Sequence, residues 1–174
     1  MNRSQITAGL SKLLEQHLAA SPERWAKEVR IGAPTECRVD YMSIRCQNGA
    51  LASLGGIEHA HLTCYEVKSC MADYKSGNGL NNLGDINCIV CPDDLRRKLI
   101  GGTELGVIGW DFAIPCPKGC RNFTKTIKYN GEVDGWRLCF FPAITFGNTR
   151  KIPIAQAIWA ILCGQKLEAT HHPS

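Results

Sequence analysis

Leu62-Thr63-Cys64-Tyr65-Glu66-Val67-Lys68-Ser69 is the stretch whose reading decides the fold. Residues 62–67 are the β-branched, aromatic and apolar types that suit a pleated surface, so they predict a central strand. Its end carries charge after an apolar run. Residues two apart on a strand share a face, so the Glu66 carboxylate and the Lys68 ammonium are expected to project together.

One segment upstream, Arg38 to Ile44 alternates, with Val39, Tyr41 and Ser43 facing one way and Asp40, Met42 and Ile44 the other. If this strand neighbours 62–67, two carboxylates and an amine converge. Asp40, Glu66 and the backbone carbonyl of Val67 then make a hard oxygen site suited to Mg²⁺ or Mn²⁺. Such an ion activates water and neutralises charge on a phosphate. Lys68 is placed to orient that water and to stabilise the charge that develops. In this pattern Asp40, Glu66 and Lys68 carry the parts of phosphodiester hydrolysis; a short motif of this kind is also what a solvated strand edge shows, and the apolar run before Glu66 favours the site over the edge.

Working outward, Ile6, Leu10, Leu13, Leu14 and Leu18 paint one apolar face of a helix over 4–20, closed by Ser21-Pro22. Glu15 lies beside that stripe. Trp25 to Val29 is a strand candidate, and 47–58, with Asn48-Gly49 and Gly55-Gly56, reads as a loop. Ser69 to Lys75 suits a short helix, Ser76-Gly77-Asn78-Gly79 a turn, and Asp85 to Cys91 a buried strand. Pro92-Asp93-Asp94 opens a helix through Leu95, Leu99 and Ile100, stopped by Gly101-Gly102. Leu105 to Phe112, Thr124 to Tyr129 and Arg137 to Phe141 are further strand candidates, and 152–162 is an apolar helix with Gly164 as its stop.

The set Arg38-Val39-Asp40, then Tyr65-Glu66-Val67-Lys68-Ser69 leading to Ala72-Asp73-Tyr74-Lys75-Ser76, resembles the PD-(D/E)XK nuclease superfamily, in particular its small phage and bacterial DNA-repair-associated members. Asp85 to Leu95 and Leu105 to Gly109 are similar to the strand–helix and following strand of that branch. The likeness spans about residues 4 to 129. It implies an α/β, restriction-endonuclease-like core (helix, three-stranded mixed sheet, helix, strand) within a single domain of residues 1–174, with 130–174 an irregular C-terminal extension. It further implies Asp40 and Glu66 as metal ligands, Lys68 as the catalytic lysine and Glu15 as a fourth acid. The activity implied is a metal-dependent DNA nuclease encoded by a phage or mobile element. The alternative is a catalytically silent scaffold that binds nucleic acid, or a phage inhibitor of a host defence protein.

The formal net charge of +4 is compatible with a polyanionic partner without requiring one. Lys75, Asn78, Arg96 and Arg97 are the candidates for DNA contact, and Lys118, Arg121, Lys125 and Lys128 form a second basic cluster. No helix-turn-helix or zinc-finger spacing points to base-specific reading. No stretch approaches the ~20 apolar residues of a membrane span, and no apolar leader opens the chain, so a protein of the bacterial cytoplasm is expected. There the ten cysteines are expected to be reduced, several as small buried hydrophobes. Cys88-x-x-Cys91 sits on a strand that would split its two side chains, and Cys116/Cys120 makes the better zinc knuckle. Four thiolates from these two pairs could close a tetrahedral zinc site, so a structural zinc or iron–sulfur centre stays as the lesser alternative, although four cysteines with iron–sulfur spacing are not found.

Overall fold

A computed structural model describes residues 2–32, 37–46, 56, 59–102, 109–143 and 150–166. In chain order its elements are α1 (Arg3–Ala19), β1 (Arg24–Ile31), β2 (Cys37–Arg45), β3 (His61–Val67), α2 (Met71–Lys75), β4 (Ile86–Val90), α3 (Asp93–Gly101), β5 (Asp111–Pro117), β6 (Trp136–Phe141) and α4 (Ile154–Lys166). The class is α/β, as expected. The three-stranded core of the sequence reading is in fact part of a six-stranded mixed sheet, ordered β1 to β6. The C-terminal region is also more regular than expected, since it supplies β6 and α4.

The chain divides into two compact units. The first comprises residues 1–20, 67–78 and 88–146, and the second 21–66, 79–87 and 147–174.

In the first unit, the Asn2 side chain caps α1 by accepting from the Ser4 N–H at 3.1 Å. The leucine stripe behaves as the 3.6-residue period demands: Leu10, Leu13, Leu14 and Leu18 are buried. This helix packs on β6, where His17 stacks against Phe140 at 4.6 Å between rings. It also passes so close to the 129–131 segment that a Cβ at Gly9 would strike the Gly131 carbonyl and the Tyr129 hydroxyl. β4 and β5 run parallel, in register Cys88↔Asp111 to Val90↔Ala113. Parallel neighbours need a long crossover, and α3, packed on β5, lies within it. β5 pairs antiparallel with β6.

The second unit is an antiparallel meander of β1, β2 and β3 with α4 packed on β1 and β2. Its core joins Val29, Val39, Met42, Ile44, Leu62 and Cys64 to Ile152, Ala157 and Ile161. Asp85 fixes the start of β3. Its carboxylate accepts the Leu62 N–H at 2.8 Å and lies 3.6 Å from the Arg150 guanidinium.

Several expectations are corrected. Thr124 to Tyr129 is coil, because its backbone bonds to α3 side chains instead of a neighbouring strand. Gly164 does not end the last helix, which continues to Lys166. Cys116 is joined to Cys139 in a disulfide, with Cα atoms 6.3 Å apart, and does not pair with Cys120. The register Ile114↔Cys139 and Cys116↔Arg137 makes these cysteines diagonal neighbours on one face of the β5–β6 ladder. Residues 105–108 of one predicted strand and most of the 47–58 loop lie outside the described residues.

Leu62 is fully buried between partners in the second unit. Leu62→Ala is expected to destabilise the protein by about 2–5 kcal/mol, read as a lower urea midpoint at unchanged slope.

Candidate functional site

The second unit positions Asp40 and Glu66. The ladder of β2 on β3 runs from Arg45↔His61 to Tyr41↔Tyr65. Carried one residue further, it sets Asp40 across from Glu66. On the other side of β2, Lys27 faces Tyr41 and Val29 faces Val39, so Glu28 lies across from Asp40. Three acids on three adjacent strands thus occupy one lateral row.

The row coincides with a break in strand alternation. The buried residues of β1 are Ala26, Val29 and Ile31, and the core residues of β2 are Val39, Met42 and Ile44. Each series steps by three once, across the Glu28–Asp40 crossing. Glu28 absorbs the change with φ at 53°, a left-handed conformation that costs a non-glycine residue energy. Strict alternation, which put Val39 and Met42 on opposite faces, fails at this point. Nothing in the residue types announces it, and Glu28 is the member of the row that sequence reasoning missed. Its carboxylate pairs with Arg38 at 3.0 Å, with both side chains exposed.

Glu66 is 1% exposed. It shares a face with Leu62 and Cys64, being two and four residues on. Its carboxylate is walled by Gly79: a Cβ there would overlap it, and Gly79 itself has φ at +82°. The charge is felt by its neighbours. Burial, and then Glu66, push the Cys37 and Cys64 thiols up, so both stay protonated. Asp40 is half-buried.

Lys68 and Glu15 belong to the first unit. Lys68 directly follows β3 and is 4% exposed. Its backbone N–H donates to the Val90 carbonyl at 3.0 Å, and its ammonium donates to the Asn78 carbonyl at 2.5 Å. Asp73 holds the next residue, accepting from the Ser69 N–H at 3.1 Å and hydroxyl at 3.3 Å while pairing with Arg3 at 2.8 Å. The turn 76–79 therefore supplies Asn78 to the lysine and Gly79 to the Glu66 carboxylate. Glu15 is half-buried on α1, and Lys75 is exposed at the end of α2.

Arg96 and Arg97 face inward more than outward. Both bind Asp93, which is 1% exposed, at 2.8 and 2.9 Å. Arg96 also lies 4.4 Å over the Phe141 ring. Arg97 donates to the Phe123 and Lys125 carbonyls, and the Ile127 N–H donates to Asp93. Burial alone raises the Asp93 carboxyl, but the Ile127 N–H and the two arginines outweigh it and hold it below the ordinary range.

Among the described residues, no group of three or more His, Cys, Asp or Glu side chains is placed to hold a metal ion. Cys88 and Cys91 are fully buried, and burial pushes both thiols up, which opposes thiolate ligation of zinc. Mg²⁺ is less demanding, since it keeps several waters and is commonly bound through one or two carboxylates plus substrate phosphate. Among the described residues, no helix is long and apolar enough to cross a membrane.

No family description and no curated protein matches the chain. A solved structure, that of the SPO1766 protein of unknown function from Silicibacter pomeroyi, does. It is 15% identical, aligned over 92% of this chain and 84% of that one, with a TM-score of 0.53. The likeness is one of fold.

Two predictions follow from this geometry. Gly79→Ala is expected to lower stability by more than about 1 kcal/mol and by more than Gly77→Ala, measured by urea melts. Gly77 shares the positive φ, at +71°, but its Cβ would meet nothing within 4 Å. Asp93→Asn is expected to destabilise the protein at neutral pH and to flatten its acid limb. With the folded pKa depressed, the contribution of Asp93 is complete above its unfolded value of about 3.9 and is lost as pH falls through the folded one. Thermal melts between pH 2 and 7 read both effects.

Proposed function

We propose that this protein is a metal-dependent phosphodiesterase acting on DNA, with Asp40 and Glu66 as its metal-binding pair. Lys68, two residues along the chain from Glu66, is its amine. The reading is supported chiefly by the β2–β3 register, which leads to Asp40 and Glu66 across from one another, beside the strained Glu28. Backbone strain of this kind collects where function over-determines geometry. Buried carboxylates, such as that of Glu66, are retained where they are paired, hydrogen-bonded or bound to a metal.

A bound Mg²⁺ or Mn²⁺ would lower the pKa of a water and offset charge on the phosphate. Asp40 and Glu66 would hold that ion through their carboxylate oxygens, and the carbonyl of Val67, next in the chain after Glu66, would be a further oxygen donor. Lys68 would exchange its hydrogen bond to the Asn78 carbonyl for one to a phosphate oxygen. Its ammonium then stabilises charge as it builds on the phosphate.

The test is cleavage of plasmid and of single-stranded oligonucleotide with Mg²⁺ or Mn²⁺, comparing wild type with Asp40→Asn, Glu66→Gln and Lys68→Met. Each substitution is expected to lower the rate at least about 100-fold, as loss of ~2.7 kcal/mol of transition-state stabilisation does. EDTA is expected to abolish cleavage in the wild type. A wild type inert on every substrate would favour instead a silent scaffold that binds nucleic acid or another protein.

A further inference from the structure

The formal charge of the whole chain is +4, and four cations lie within residues 118–128: Lys118, Arg121, Lys125 and Lys128. No Asp or Glu falls between Lys118 and Gly131. The rest of the chain is therefore formally neutral, and the excess positive charge is concentrated in one segment of eleven residues. All four cations are exposed. Arg96 and Arg97, by contrast, are 13% and 34% exposed and spend their hydrogen bonds on Asp93 and on the backbone of this same segment.

The segment is coil, yet it is fastened along its length. The Lys118 N–H donates to Gly135 at 2.8 Å and the Cys120 N–H to Pro117 at 3.0 Å. The Thr124 N–H donates to the Asn122 side chain at 2.9 Å. Arg97 grips the carbonyls of Phe123 and Lys125, and Asp93 takes the Ile127 N–H at 3.0 Å. Phe123 turns inward onto Phe141, and Tyr129 is buried against Trp136. Anchors and cations thus alternate: backbone and aromatic rings point in, amines and guanidinium point out.

We propose that residues 118–128 form a binding strap for the phosphate backbone of nucleic acid. The Asp93–Arg96–Arg97 cluster is its clasp. Asn122, Thr124 and Thr126, exposed between the cations, add neutral hydrogen-bond donors of the kind that contact phosphate and sugar. The strap offers no exposed aromatic platform and no recognition helix, so binding is insensitive to sequence. It offers no large exposed apolar anchor either, which disfavours an anionic membrane surface as the partner. Because the backbone is already fixed, little ordering entropy opposes binding. This surface does not depend on the proposed hydrolysis: it needs neither a metal nor Asp40 and Glu66.

Fluorescence anisotropy with labelled 20-mer single- and double-stranded DNA, in EDTA and over a salt series, tests it. The proteins compared are wild type, the strap variant Lys118→Gln/Arg121→Gln/Lys125→Gln/Lys128→Gln, and a charge-matched variant, Lys12→Gln/Arg24→Gln/Arg30→Gln/Lys151→Gln. Circular dichroism establishes that each is folded. Wild type and the charge-matched variant are expected to bind alike. The strap variant is expected to reduce the slope of log K against log salt by about 3, from a loss of roughly 0.7–0.9 per phosphate contact. An unchanged slope in the strap variant overturns the proposal, as does an equal loss in the charge-matched one. Failure of wild type to bind either DNA, or binding only to phosphatidylserine vesicles, overturns it too. Loss of cleavage with retained strap-dependent binding would sink the hydrolase alone.

Discussion

A carboxylate buried at the end of β3 is the constraint around which the second unit is arranged. Removing a charge from water costs several kcal/mol unless the surroundings compensate. Around Glu66 that condition dictates residue choice at several points. Position 79 admits only glycine, because any Cβ would overlap the carboxylate. The nearby thiols of Cys37 and Cys64 stay neutral under burial and the same negative charge. The β2–β3 register leads to Asp40 opposite it, and the β1–β2 crossing at Asp40 is strained at Glu28.

The first unit solves a different problem with a similar device. Asp93 opens α3, where the helix dipole favours an acid, but it is buried. Two arginines and a backbone N–H from the 118–128 segment satisfy it. In doing so they convert a strand-forming sequence into a fastened coil. The two arginines that the sequence offers as DNA contacts on α3 are consumed internally, whereas the four cations of the coil stay exposed. One buried acid thereby decides which cations reach solvent.

Much of the fold was legible because it rests on periodicity. The leucines of α1, the apolar runs of β3 and β4, and the Pro92-Asp93-Asp94 helix start all declare themselves within a single segment. What was hidden depends on contacts across segments. The alternation break at Glu28 and Asp40 arises from paired strands, since neither strand alone predicts a positive φ at a glutamate. The coil at 124–129 reflects the reach of Arg97 and Asp93 from another element, against a β-prone composition. The Cys116–Cys139 link needs the β5–β6 register, whereas nearness in sequence favoured Cys120. Of the candidate residues, Asp40 and Glu66 could be related through strand register, and Lys68 by its place after β3. Glu28 could not, since its signal is conformational.

The most direct test of the account is a structure determined after soaking with Mn²⁺, using anomalous scattering to locate the ion. The account predicts one strong peak within about 2.0–2.3 Å of an oxygen from both Asp40 and Glu66, absent from Glu66→Gln crystals. A peak elsewhere, or none at these two carboxylates at millimolar Mn²⁺, would contradict it.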